Sequence, residues 1–363
     1  MVGVGLSLSM ALLAVRLAQA GYSARAIGLN PAAGGLATLA IATFVPRLAR
    51  RLGVQTLLFM ALFAAILSLG AFAAYENYWS WLVIRGVFGA ALTVLFVLSE
   101  FWINTAAPPN RRGIILGLYT TSLAAGFAIG PTILAVTGTK GLAPFLAATA
   151  LFVIAAVPVA LVGGQAPQIE EQAKTSLWSF LTAAPSATLA ALVYGAIETA
   201  AMGLLPVYAL RNALSAETGA LLVSLFALGN VIFQIPMGLL SDRYDRRRLL
   251  RINALTGLLG ALALSFALHA NFILFATLLV VWGGVVGSLY AVGLAHLGSR
   301  YQGPELTGAN ATYIMLYSVG MLAGPPLLGV GLDLAPSGLF LAIALLLAAY
   351  LGIVSWRIGT AHP

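Results

Sequence analysis

Glu198 is a carboxyl group near the middle of an apolar run that covers residues 187–210. It lies eleven positions from the start of that run, or roughly 16 Å along a helix, so no flanking loop can reach it. A carboxyl group buried in this way can take up and release a proton. Tyr194 stands one helical turn earlier on the same face and can hydrogen-bond it. We therefore expect Glu198 to carry protons; the alternative is a paired or permanently protonated glutamate that packs helices.

Arg85 is a cation inside another apolar run, in the pattern Arg85-Gly-Val-Phe-Gly89. It lies seven residues from the start of the run, which covers residues 78–103, or roughly 10 Å inside the outer boundary. Charges at such depth are costly and are functional candidates by default. We expect Arg85 to couple protons or to recognise a charge on a substrate; the alternative is structural pairing, or a side chain that extends outward to the surface.

Further polar side chains inside apolar runs could line a cavity. Those we single out are Asn230, Gln234, Asn310, Tyr313 and Tyr317, with Tyr119 and Tyr290 as additional positions. Each alone is more often structural, but Asn310, Tyr313 and Tyr317 share one helical face.

The composition identifies the solvent that surrounds these residues. Of 363 residues, 61% are hydrophobic and only 8% are charged, whereas soluble domains are about 25% charged. A span of the bilayer needs roughly 20 apolar residues. The sequence predicts an all-α integral membrane protein with twelve transmembrane helices, near residues 2–20, 27–46, 55–74, 78–103, 112–137, 142–163, 187–210, 217–240, 248–268, 272–297, 306–331 and 336–357. We expect the first run to be retained as a span rather than cleaved as a signal peptide, because no Lys or Arg precedes it.

An internal repeat divides these spans into two sets. A shift of 192 positions places Ala14–Leu58 over Pro206–Leu250 without a gap and gives nine identical pairs, among them Ser23/Ser215 and Arg51/Arg243. We predict two pseudo-symmetric six-helix bundles: an N-terminal half at 1–163, a cytoplasmic linker at 164–186 and a C-terminal half at 187–363.

Basic residues predict the orientation, because Lys and Arg are retained on the cytoplasmic side. One set of alternate loops and ends holds thirteen of them: Arg47, Arg50, Arg51, Arg111, Arg112, Lys174, Arg243, Arg246, Arg247, Arg248, Arg251, Arg300 and Arg357. The other set holds four: Arg16, Arg25, Lys140 and Arg211. We therefore expect both termini in the cytoplasm of a bacterial-type inner membrane.

Two motifs carry a family resemblance. The segment Gly238-Leu-Leu-Ser-Asp242-Arg243-Tyr-Asp245-Arg246-Arg247-Arg248 resembles the gating-loop signature of the major facilitator superfamily, with Asp245 where glycine is usual. In the second motif, Gly126-Phe-Ala-Ile-Gly130-Pro131 resembles the family's antiporter-type signature, and Gly320-Met-Leu-Ala-Gly324-Pro325 repeats it. The glycines suit close helix packing, and the prolines suit bending.

The first-half counterpart of the gating loop, residues 46–53, lacks both the leading glycine and the aspartate. Glu100, near the end of the fourth span, could replace that aspartate by pairing with Arg50 or Arg51. We expect this structural charge pair in preference to substrate contact by Glu100.

The resemblance covers essentially the whole chain. The stretches around Glu100 and from Tyr194 to Glu198 are similar to a subgroup of small bacterial transporters called YcaD-like. The resemblance to the major facilitator superfamily implies alternating access of two halves around a central site. We expect a secondary transporter of a small organic solute, coupled to protons and with export favoured; the alternative is a non-transporting membrane sensor or assembly protein on the same fold.

Other functions find no support in the sequence. Cysteine is absent, the three histidines stand far apart, and no phosphate-binding glycine loop or nucleophile-base constellation occurs. The net charge of +8 comes from basic residues scattered between apolar runs, which argues against nucleic acid. We expect no enzymatic activity, cofactor or metal, and a monomer whose partners are the bilayer, the solute and protons.

Overall fold

The computed structural model describes residues 1–42, 44–106, 108, 112–162, 185–300 and 303–359. In these ranges the chain forms thirteen helices and no strand. The helices are α1 (Val2–Gln19), α2 (Ala24–Ala42), α3 (Val45–Leu52), α4 (Val54–Ala74), α5 (Tyr78–Ala106), α6 (Arg112–Thr137), α7 (Ala143–Val162), α8 (Pro185–Arg211), α9 (Ala216–Arg243), α10 (Arg246–Ala270), α11 (Phe272–Gly298), α12 (Gly303–Leu334) and α13 (Gly338–Gly359). The predicted linker at 164–186 lies outside the described residues except for its last two.

The helices agree with the predicted spans. Ten of the described helices are by themselves long and apolar enough to cross a membrane, and α2 with α3 makes an eleventh candidate. The remaining predicted span, at residues 112–137, corresponds to α6, of which Thr121–Thr137 is a shorter apolar segment. The all-helical membrane architecture predicted from the sequence is therefore confirmed.

The first helix set (α1–α7) and the second helix set (α8–α13) pack in the same pattern. In the first set α1 packs on α6, α2 on α5 and α4 on α7; in the second set α8 packs on α12, α9 on α11 and α10 on α13. The repeat is visible at single residues, because the Oγ atoms of Ser23 and Ser215 each accept a hydrogen bond from a backbone N–H three residues later, at the start of α2 and α9. These serines are helix N-caps.

Glycines allow the closest helix pairs to touch. A side chain at Gly130 would overlap Ser7 and the backbone of Val4 in α1, and one at Gly324 would overlap the backbone of Ala196 in α8. The two Gly-Pro motifs thus pack α6 on α1 and α12 on α8 at equivalent places.

The ends of the helices form two faces of the bundle. The basic face carries the short connections α2–α4 and α9–α10, with their arginines, together with the end of α11, where His296 lies near Arg247 and Arg300. The opposite face gathers the α1–α2, α4–α5 and α6–α7 connections, where Arg16 pairs with Glu76 at 2.6 Å.

The two helix sets are joined at the opposite face. The carboxylate of Asp333, at the end of α12, accepts hydrogen bonds from the backbone N–H groups of Ala24 at 2.7 Å and of Arg25 at 2.9 Å, at the start of α2. Asp333 also pairs with Arg211. At the pseudo-symmetric place, Lys140 of the first set faces Glu217 at the start of α9 without an ion pair. The described hydrogen bonds between the sets close the opposite face.

Candidate functional site

Glu198 lies at the midpoint of α8, thirteen residues from either end of the helix. The hydroxyl of Tyr194 donates to its Oε1 atom at 2.7 Å, and the hydroxyl of Tyr317 on α12 donates to its Oε2 atom at 2.5 Å. Both carboxylate oxygens are thus satisfied by phenols from two helices. The close approach of α12 at this point depends on Gly195, where any side chain would overlap Tyr317.

Further tyrosines surround this group. The ring of Tyr290 on α11 lies with its centroid 5.6 Å from that of Tyr194 and 5.5 Å from that of Tyr317. Tyr313 is fully buried behind it and donates its hydroxyl to the backbone oxygen of Tyr290 at 2.6 Å. Tyr313 therefore supports the wall of the site without lining it.

A cavity of about 270 Å³ opens beside Glu198. It is bounded by α8, α9, α11 and α12 of the second helix set and by α6 of the first. Its lining residues are Leu123, Ala124, Phe127, Tyr194, Glu198, Met202, Ala227, Asn230, Gln234, Gly287, Ser288, Tyr290, Ala291 and Tyr317. The structure thus brings together five of our eight candidate residues: Glu198, Tyr194, Asn230, Gln234 and Tyr317. The side chain of Asn310 lies outside the described part of the chain.

The cavity faces the basic side of the bundle. Gln234 lines it, is exposed, and lies nine residues from the end of α9 at the basic face. Glu100 is exposed on α5 and lies near enough to interact electrostatically with Tyr119 of α6 and Tyr290 of α11. An acidic group of the first helix set therefore lies near Tyr290, which lines the cavity.

Glu100 makes no ion pair with Arg50 or Arg51 in the part of the chain that the structure describes. The physical reason is direction: Glu100 faces α6 and α11, whereas both arginines are exposed on α3.

Arg85 is buried at a separate place, between α5 and the contact of α1, α2 and α8. Its side chain is 4% exposed, and its Nε and Nη1 atoms have no hydrogen-bond partner among the described residues. The guanidinium lies 5.6 Å from the ring centre of Phe88, and the adjoining cavity of about 10 Å³ has room for about one water. Arg85 neither reaches the surface nor lines the cavity of Glu198.

The gating-loop motif forms the end of α9 and the start of α10. Asp245, which departs from the signature, caps α10 by accepting a hydrogen bond from the backbone N–H of Arg248 at 2.8 Å. Gly238 faces open space, so this glycine of the motif does not mediate a close approach of two helices. Arg243, Arg246 and Arg247 lie at the basic face, and the side chain of Asp242 is outside the described part.

Sequence reasoning missed the first-set wall of the cavity. Leu123, Ala124 and Phe127 were not singled out, because apolar residues in an apolar helix carry no signal of their own. These residues lie within three positions of Gly126, which packs on α1. Their closeness to that glycine motif was the one signal in the sequence that could have indicated them.

The chain matches a family of known membrane proteins along its length. The family model described as Major Facilitator Superfamily matches residues 1–214 and 187–363. The uncharacterized MFS-type transporter YfkF of Bacillus subtilis (strain 168) is 29% identical over 314 residues, which cover 84% of this chain and 79% of YfkF. The uncharacterized MFS-type transporter YcaD of Escherichia coli O9:H4 (strain HS) is 22% identical over 278 residues, 76% of this chain and 72% of YcaD.

A solved structure shares the fold. The crystal structure of the nucleoside transporter NupG (D323A mutant) superimposes with a TM-score of 0.75 at 13% identity and covers 99% of this chain and 97% of that one. This likeness agrees with the all-helical fold described above. The chain therefore belongs to the major facilitator superfamily and is a multi-pass membrane transporter, not an enzyme.

Proposed function

We propose that this secondary transporter moves a small organic solute by alternating access and that Glu198 couples the movement to protons. The observation that carries the proposal is the position of Glu198: a carboxylate at the midpoint of a span, in a cavity lined from both helix sets. A group in the membrane centre that opens to one side at a time can load a proton on one side and release it on the other.

The conformation supports this assignment. The opposite face is joined between the sets by Asp333, whereas Gln234, an exposed residue of the cavity lining, lies on the half of α9 nearer the basic face. If the basic face is cytoplasmic, as its arginines favour, this is the inward-facing state. We propose export as the direction, because the two Gly-Pro motifs resemble the antiporter-type signature.

Glu198→Gln tests the coupling. Glutamine keeps the size of the side chain and can still accept from a tyrosine, but it cannot carry a proton. In proteoliposomes we expect the variant to lose solute accumulation driven by a pH gradient while solute exchange at equal pH continues.

Glu76→Gln is the matched control, because it removes an exposed carboxylate at the opposite face, outside the cavity. It should accumulate solute as the unmodified chain does. Undiminished pH-driven accumulation by the Glu198→Gln variant would remove Glu198 from the coupling mechanism.

A further inference from the structure

We propose that the cavity at Glu198 takes a small monovalent organic cation, which competes with the proton for this one carboxylate. The inference rests on the proposed function and adds the chemical class of the solute and the ratio of the exchange.

The charge of the cavity is the first argument. Among the fourteen lining residues in the part of the chain that the structure describes, Glu198 is the one charged side chain, and none is Lys, Arg or His. Arg85 lies at its own small cavity and does not line this one. An anionic solute would find a carboxylate with no compensating cation, whereas a cation would find its counter-charge.

The aromatic wall is the second argument. Phe127, Tyr194, Tyr290 and Tyr317 all line the cavity. The electron-rich faces of aromatic rings attract cations, and the attraction is strongest where water is excluded. The remaining walls are largely apolar, and the polar groups Asn230, Gln234 and Ser288 carry no charge. Alkyl or aryl substituents on an ammonium nitrogen therefore fit beside a carboxylate that compensates its charge.

The volume limits the size of this cation. A cavity of about 270 Å³ lies just below the range of pockets that enclose drug-sized ligands. The site suits a compact quaternary or protonated amine rather than a large polycyclic dye.

The groups that face Glu198 determine the stoichiometry. They are the hydroxyls of Tyr194 on its own helix and Tyr317 on α12, with the ring of Tyr290 on α11. From α9 come Asn230 and Gln234, and from α6 apolar side chains; neither contributes an ionisable lining residue. Glu100 faces Tyr290 from the exposed approach and does not line the cavity. One carboxylate can hold one proton or one monovalent cation, so the exchange is one for one and electrically neutral.

The binding test compares cationic, uncharged and anionic probes, and one pair of them differs in charge alone. Choline and its uncharged isostere 3,3-dimethylbutan-1-ol have the same shape; tetraethylammonium and benzyltrimethylammonium extend the cation series, and benzoate represents anions. Calorimetric titration of the purified protein should show at least one of the three cations binding at least about ten-fold more tightly than the alcohol or benzoate. That binding should weaken by about ten-fold or more at acid pH and in Glu198→Gln, but not in Glu76→Gln.

Three binding results overturn the inference: no cation binds up to millimolar concentration, the alcohol or benzoate binds as well as the cations, or the cation binds Glu198→Gln unchanged. An unchanged melting temperature of that variant shows that its loss of binding is not a loss of fold.

Transport then tests the ratio and separates the two proposals. In proteoliposomes with a trapped pH indicator, the bound cation should drive proton movement whose rate is the same at zero and at imposed membrane potential, because no net charge crosses. A strong dependence on potential contradicts one-for-one exchange. If only neutral or anionic solutes move protons, proton-coupled transport stands and the cation inference fails. If no solute of any charge moves protons, the proposed function itself fails.

Discussion

At Glu198 the important contacts come from two sources that differ in how well a sequence reveals them. Tyr194 lies four residues away on the same helix, so its hydrogen bond follows from helical periodicity and was predicted. Tyr317 arrives from a helix more than a hundred residues later, and the sequence marked it only as a polar residue in an apolar run. Its contact with Glu198 depends on tertiary packing, which periodicity does not encode.

Tyr317→Phe removes one of these two donors. A hydrogen bond to a charged group contributes about 1.5–3 kcal/mol. We therefore expect the Michaelis constant for the solute in proton-driven transport to rise about ten-fold or more. Tyr350→Phe is the matched control, since it removes a buried hydroxyl that donates to the backbone oxygen of Ser186, outside the cavity. Equal transport by both variants would show that the Tyr317 hydroxyl has no part in the site.

Arg85→Met should separate stability from function. A buried charge without hydrogen-bond partners costs free energy, and an apolar side chain of similar length removes that cost. We expect the variant to unfold at a higher temperature and to transport more slowly, if the charge is needed in another conformation. Arg211→Met should unfold at a lower temperature, because Arg211 bonds the carboxylate of Asp333. If the melting temperature falls in Arg85→Met as well as in Arg211→Met, the buried charge of Arg85 does not destabilise the fold.

At the scale of helices, small residues determine which elements meet. Gly320 and Gly324 lie against the backbone of α8, and Gly126 and Gly130 lie against α1. The sequence predicted that these segments pack closely but did not name their partners, because a glycine face fits any smooth helix. The bounds of the helices were predictable from apolar runs interrupted by Gly, Pro and charge; the pairing of α8 with α12 was not.

Asp333→Ala should loosen the contact between α12 and α2. It leaves two N–H groups at the start of α2 without their carboxylate and frees Arg211. Because the chain has no cysteine, Ala14→Cys provides a single thiol that is buried where the helix sets meet. We expect the rate of its maleimide labelling to rise about ten-fold or more in the Asp333→Ala background.

Glu76→Ala is the control for this measurement, since it breaks an ion pair within the first helix set and none between the sets. Labelling at the unmodified rate in the Asp333→Ala background would show that the carboxylate does not hold the sets together.

For the whole molecule, the duplication was the most informative pattern in the sequence. It predicted that equivalent helices would be capped and packed alike, as Ser23 and Ser215 show. It could not predict where the duplication has decayed. The cavity draws most of its lining from the second set, and the two charges in the middle of spans, Arg85 and Glu198, lie at different places.

The orientation is a property of the whole chain and remains a prediction. The arginines of the α2–α4 and α9–α10 connections should keep both ends of the chain in the cytoplasm. Green fluorescent protein fused to the C-terminus should fluoresce, and alkaline phosphatase fused there should be inactive. The reverse pattern would place the basic face outside and exchange the inward-facing and outward-facing descriptions.

Two electrostatic attractions between the helix sets at the opposite face differ in their sensitivity to ionic strength. Lys140 and Glu217 are exposed and attract each other through solvent, where the Debye length at physiological salt is about 8 Å. The carboxylate of Asp333 is joined to α2 by short hydrogen bonds that counter-ions screen far less. Dissolved salt therefore weakens the attraction between Lys140 and Glu217 before the hydrogen bonds of Asp333, and on the α6–α9 side closure then rests on the hydrogen bond between the hydroxyls of Thr132 and Ser224.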